Sequence, residues 1–108
     1  MRLATLIAIL ALLGGSAAAQ TIAPVPGDAD AGRVIAQTWC RNCHVVDDHP
    51  TQAGDAVPSF PAIARMKSTT ALSLQAFLQT PHGGMPNFEL GRTQIDDAVA
   101  YILTLRGE

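Results

Sequence analysis

Cys40-Arg41-Asn42-Cys43-His44 carries more information than any other stretch of this chain. Two thiols three positions apart at a helix end can both reach the vinyl groups of one haem and form thioether bonds. The next residue then presents an imidazole to the iron from the same side. This is the sequence form of c-type haem attachment. Two other uses of the cysteines fit less well. A thioredoxin-like redox pair needs a strand–helix setting, and the surrounding pattern is helical without strands. A structural zinc site needs four ligands, and there is no second cysteine pair. His49 and His82 are available as further ligands, but their spacing matches no common zinc arrangement.

Working outward, the segment before the motif reads as a helix. Asp28 is a candidate N-cap for a run reaching about Cys40, with Asp30 favourable in the first turn. After the motif, Val45 to Phe60 holds Pro50, Gly54 and Pro58 among polar residues and reads as an irregular loop. One or two helical turns follow over Phe60 to Met66. Ser68-Thr69-Thr70 then offers caps for a helix from about Ala71 to Gln79, with Leu72, Leu74, Phe77 and Leu78 on its apolar side and Pro81 as its stop. His82 to Leu90, containing Gly83, Gly84 and Pro86, is a second loop. A last helix starts near Thr93, whose spacing to Asp96 suggests a capping box. Ile95, Val99, Ile102 and Leu105 recur at helical spacing, with Ala98 and Tyr101 beside them. The expected fold class is all-α, with a large share of loop.

The N-terminus reads as an address. Met1-Arg2 gives a basic start, Leu3 to Leu13 is apolar except for Thr5, and Ala17-Ala18-Ala19 fits a small-residue cleavage site. The apolar run is short for a permanent transmembrane helix. The expectation is therefore a secretory signal peptide over 1–19, a single domain over 20–108, a periplasmic location and no stable membrane insertion. Loss of Arg2 takes the formal charge from −2 to −3. That mildly acidic balance gives no reason to propose nucleic acid as a partner. A domain of this size buries a modest core and often needs a staple. A disulfide between Cys40 and Cys43 would close a tiny loop and stabilise little, whereas a covalent haem fills that need.

With the motif and helices in place, the chain resembles the class I c-type cytochromes over nearly all of its exported length. Gly32 stands eight positions before Cys40, where these cytochromes place a small residue on the first helix. Tyr101 stands where they place the aromatic that packs on it. The family often has an aromatic four positions before the first cysteine; here that residue is Ala36, and Trp39 is a neighbouring substitute. The resemblance implies a small cytochrome c fold, with the N- and C-terminal helices packed together and loops wrapping one covalently bound haem c. It also implies a second axial ligand. Met85, in His82-Gly83-Gly84-Met85-Pro86, resembles the family's distal-ligand loop, the glycines letting backbone approach the haem and Pro86 stiffening the chain after the sulfur. Met66 is better read as packing, His82 as a competing ligand, and His49 as a solvated loop residue. On the proximal side, the Pro58 carbonyl is the expected acceptor for the His44 ring, with Pro61 as a substitute. Phe60, Leu78 and Phe88 are expected to pack on or near the haem.

What the resemblance implies functionally is electron transfer without substrate chemistry. The chain would be a diffusible carrier, or a cytochrome subunit serving a dehydrogenase, with a dehydrogenase, a cytochrome complex or a terminal oxidase as redox partner. The alternative is a haem protein that binds ligands or acts like a peroxidase, with a displaceable sixth ligand.

Overall fold

A computed structural model describes residues 24–48 and 57–107. The expected signal segment and cleavage site, and His49, lie outside the described residues. The described residues form four α-helices, α1 (Ala29–Ile35), α2 (Phe60–Arg65), α3 (Ala71–Gln79) and α4 (Arg92–Thr104), and one short π-helical turn. There is no strand among the described residues.

α1 starts at the expected cap. The Asp28 carboxylate accepts from the backbone N–H of Asp30 (2.8 Å) and Ala31 (3.1 Å), satisfying two of the donors that a helix start leaves unpaired. The helix does not continue as α to Cys40. Residues Ala36–Cys40 form a π-helical turn, closed by the Arg41 N–H donating to the Ala36 carbonyl at 3.1 Å. The wider turn carries an extra residue and re-aims the chain beyond it. It buries Ala36 and leaves Trp39 facing outward from the α1–α4 contact.

α4 is the spine. Its buried face is Ile95, Ala98, Val99, Tyr101 and Ile102, with Leu105 just beyond, which is the set that the helical spacing specified. Its start differs from expectation. Gly91 is the N-cap, and the Gln94 side chain reaches back to accept the Gly91 N–H at 2.9 Å. Asp96 does not cap. It accepts from Gln75 Nε2 at 2.7 Å and ties α3 to α4.

α1 crosses α4 closely, and glycine is the reason. A Cβ on Gly32 would overlap the Asp97 carbonyl and stand 2.8 Å from Tyr101 Cβ. Two polar contacts secure the crossing: the Asp28 N–H donates to Asp97 Oδ1 at 2.7 Å, and the Arg33 guanidinium lies 6.0 Å from the centre of the Tyr101 ring. Tyr101 is buried, and its hydroxyl donates to the Val46 carbonyl at 2.7 Å, so α4 also holds the segment just after the motif.

α2 is capped by Ser59, whose Oγ accepts from the Ala62 N–H at 3.1 Å. α3 runs over the expected residues, with Thr70 and Ser73 capping each other at 2.9 and 3.0 Å. Its apolar side is narrower than expected. Leu74 is buried and Leu78 partly so, but Leu72 is 75% exposed because two residues turn a helix about 200° from Leu74. Arg106 fastens the connection between α2 and α3, donating to the carbonyls of Ala64 (3.0 Å) and Thr69 (2.7 Å).

Candidate functional site

The motif folds as one turn continuing from the π-helical segment. The backbone N–H groups of Cys43 and His44 both donate to the Cys40 carbonyl, at 3.1 and 2.9 Å. Cys40 is partly buried and Cys43 exposed, and both thiols are free. Burial pushes the Cys40 thiol above its usual range, because a thiolate there would lose hydration.

His44 Nδ1 donates to the Pro58 carbonyl at 2.7 Å. A carbonyl can only accept, so this bond places the proton on Nδ1 and leaves Nε2 with its lone pair, the form that a metal takes. Two contacts hold Pro58 in reach: Ser59 caps α2, and the Phe60 N–H donates to the Val45 carbonyl at 2.8 Å. Buried Phe60 lies against the imidazole, ring centres 5.3 Å apart and tilted by 49°. The expected Pro61 substitute is instead buried in the first turn of α2.

His44 opens onto a cavity of about 420 Å³ between α1, α2, α3, α4 and the loop after α3. Ile35, Leu74, Leu78, Leu90 and Ile102 give it apolar walls, and Cys40, Pro58, Phe60 and Met85 share the lining. Polar groups are confined to Ser68, Thr69, Ser73 and His44. A flat, mostly apolar macrocycle suits such a space. The two thiols and a lone-pair imidazole at or beside the same cavity fit a c-type haem, and the Met85 thioether borders that cavity as well.

Several lining residues carried no such expectation. Trp39 does not substitute at the helix crossing. It borders the cavity and stacks on Phe88, centres 6.0 Å apart and 20° between planes. Met66, expected to pack, is half exposed at the cavity's edge. Phe77 lines the cavity and also covers the His82 ring. The adjacency of Trp39 to Cys40 was a usable signal for the first, and the place of Phe77 on the apolar side of α3 for the third; Met66 had none, because the path of the chain after α2 decides it. The loop itself turns at Gly84, with φ +82°, a conformation that side chains resist. No protein atom lies within 4 Å of where a Cβ would stand at Gly83 or Gly84, so within the chain the turn, rather than crowding, calls for glycine at 84.

An all-helical frame whose first and last helices cross at a glycine, enclosing an apolar cavity beside Cys-Arg-Asn-Cys-His, defines a small haem-binding electron-transfer domain. Residues 27–102 match the family model described as cytochrome c oxidase, cbb3-type, subunit III. Cytochrome c-552 of Bradyrhizobium diazoefficiens is 39% identical over 98 residues, which cover 91% of this chain and 89% of that protein. No solved structure matches the chain. The chain belongs to this family of single-haem, class I c-type cytochromes: it carries one covalently bound haem c and moves electrons between redox partners rather than transforming a substrate. No described helix is long and apolar enough to cross a membrane.

Proposed function

We propose that the chain is exported, is cleaved after Ala19, and serves as a periplasmic electron carrier with His44 and Met85 as axial iron ligands. In this reading Cys40 and Cys43 form the thioether bonds and the Pro58 carbonyl orients His44. The observation that supports it best is that His44, with its proton held on Nδ1 by Pro58, and Met85 border one apolar cavity. When bound, the haem supplies a one-electron ferrous/ferric couple.

The protein's part is to hold that couple with little rearrangement. The carbonyl partner makes the His44 imidazole more basic and fixes its plane. A thioether on the other side, with apolar walls, favours the less charged ferrous state and so raises the potential relative to two imidazoles. The walls keep water from the ligands. Exchange with partners then runs through a small, transient interface, and the net negative charge steers encounter toward a basic partner surface. The partner is a dehydrogenase, a cytochrome complex or a terminal oxidase, met by diffusion or within a complex.

The test is spectroscopic. The full chain is expressed with a haem-maturation system and the exported product is weighed, with mass corresponding to Gln20–Glu108 plus one haem expected. The ferric protein should show the weak long-wavelength band of sulfur-to-iron charge transfer, lost in Met85→Ala and kept in Met66→Ala. A high-spin spectrum that readily binds carbon monoxide or cyanide would put the ligand-binding reading first.

A further inference from the structure

His82 makes three contacts, each in a different direction. Its ring is covered by Phe77, centres 3.7 Å apart and tilted by 34°. Its Nδ1 donates to the Thr80 carbonyl at 2.7 Å, and its Nε2 edge lies 3.0 Å from Met85 Sδ. Phe77 belongs to the last turn of α3 and Thr80 is its C-cap, with its own hydroxyl donating to the Ala76 carbonyl at 2.7 Å. The bond to a carbonyl puts the proton on Nδ1 and leaves Nε2 with its lone pair. One side of the imidazole is thus fastened to a helix end, while the other meets the sulfur in the loop by packing rather than by a hydrogen bond.

The rest of the loop is held beyond the sulfur, by Phe88 on Trp39 and by Leu90 against the core, and the stretch around Met85 is open. Gly83 and Gly84 are exposed with no protein atom near their open sides, Pro86 and Asn87 are exposed, and a small cavity of about 60 Å³ lies between the loop and the end of α3. His82 lines this small cavity and not the large one, whereas Met85 lines both. His82 therefore stands behind the sulfur rather than beside His44.

We propose that His82 is a positioning residue for Met85: its ring, fixed to the C-terminal end of α3, stands as a wall behind the sulfur, so that the thioether cannot swing back away from the haem cavity. This rests on Met85 being the iron ligand, and it replaces the reading of His82 as a competing ligand. The physical argument is that of an outer partner of a metal ligand. It forms no bond to the metal, yet it restricts the ligand's rotamers and so slows displacement.

The experiment uses the haem-loaded protein and its His82→Ala, His82→Gln and Met85→Ala variants. Three properties are read: the charge-transfer band, the midpoint potential, and the rate at which cyanide or imidazole enters the ferric iron site. His82→Ala should keep the band near room temperature, lose it at a lower temperature than the parent, and admit cyanide at least roughly tenfold faster at unchanged helicity. His82→Gln, which restores part of the bulk behind the sulfur, should recover part of that rate and move the midpoint potential less than His82→Ala. If Met85→Ala loses the band while both His82 variants match the parent in entry rate and potential, His82 is not a positioning residue. If Met85→Ala keeps the band, the ligand assignment falls and takes this inference with it.

Discussion

Tyr101 shows how much one side chain can hold. Its ring packs beside Gly32, and its hydroxyl crosses to the Val46 carbonyl. Burial pushes its ionisation above the ordinary value of about 10, with Asp47 and Asp48 adding and Arg33 opposing. A neutral acid whose folded pKa is raised contributes stability that is whole below its unfolded pKa and is lost as pH rises through the folded one. Stability should therefore decline above about pH 10, and Tyr101→Phe should flatten that decline while costing about 1–2 kcal/mol at neutral pH, since the Val46 carbonyl loses its donor. The chain has a single tyrosine, so an ultraviolet difference titration reads this group directly, and denaturant midpoints at two pH values measure the rest. The Tyr101 position was legible from the sequence, but its bond to Val46 was not, because that depends on the path of the chain after the motif. Cys40, Cys43 and His44 were singled out by spacing alone. The contact of the Pro58 carbonyl with His44, and the place of Met85 on the same cavity, needed the family resemblance, because a proline or methionine in a loop signals nothing of its own.

At the scale of elements, the crossing of α1 and α4 carries the sharpest expectation. Gly32→Ala places a methyl group into the Asp97 carbonyl, and backbone on both sides has no room to yield. The loss should reach about 3 kcal/mol, the upper range for overpacking, read as a lower denaturant midpoint at unchanged slope. Phe60→Ala removes a buried ring from the wall beside His44 and should cost about 3–5 kcal/mol, with a change in the haem spectrum that Gly32→Ala does not produce. The helices were legible wherever apolar residues recurred every three or four positions, as along α4, and where a side chain capped, as at Asp28 and Thr70. The π-helical turn was not legible. It has Ala36 buried at its start and Cys40 lining the cavity at its end, and no residue type marks it. Nor was the Gly91 start of α4, since Thr93 with Asp96 offered an equally good local pattern and Gln75 claimed Asp96 from outside the helix.

For the whole molecule, the cavity dominates. Without haem, the apolar walls of a cavity of about 420 Å³ face water instead of the macrocycle, and a domain this small has little other core to offset that exposure. Chain prepared without haem, or with Cys40→Ser and Cys43→Ser together, should therefore lose most of its far-ultraviolet helical signal. A native-like signal from such material would show that the helices stand without the cofactor. Charge acts at this scale too. With a basic redox partner the bimolecular rate should fall several-fold between low and high salt, and with an acidic one it should rise.

The crossing of α1 and α4 joins the two ends of the described domain, and this has a consequence for the order of assembly. The Cys40–His44 turn precedes α4 in the chain, so the motif is made before the helix that closes the fold. α1 then waits for α4, which is made after every other described element. A chain cut before Tyr101 would lose both the mate of Gly32 and the donor to Val46, and rapid proteolysis of such haem-bearing material is the expected outcome.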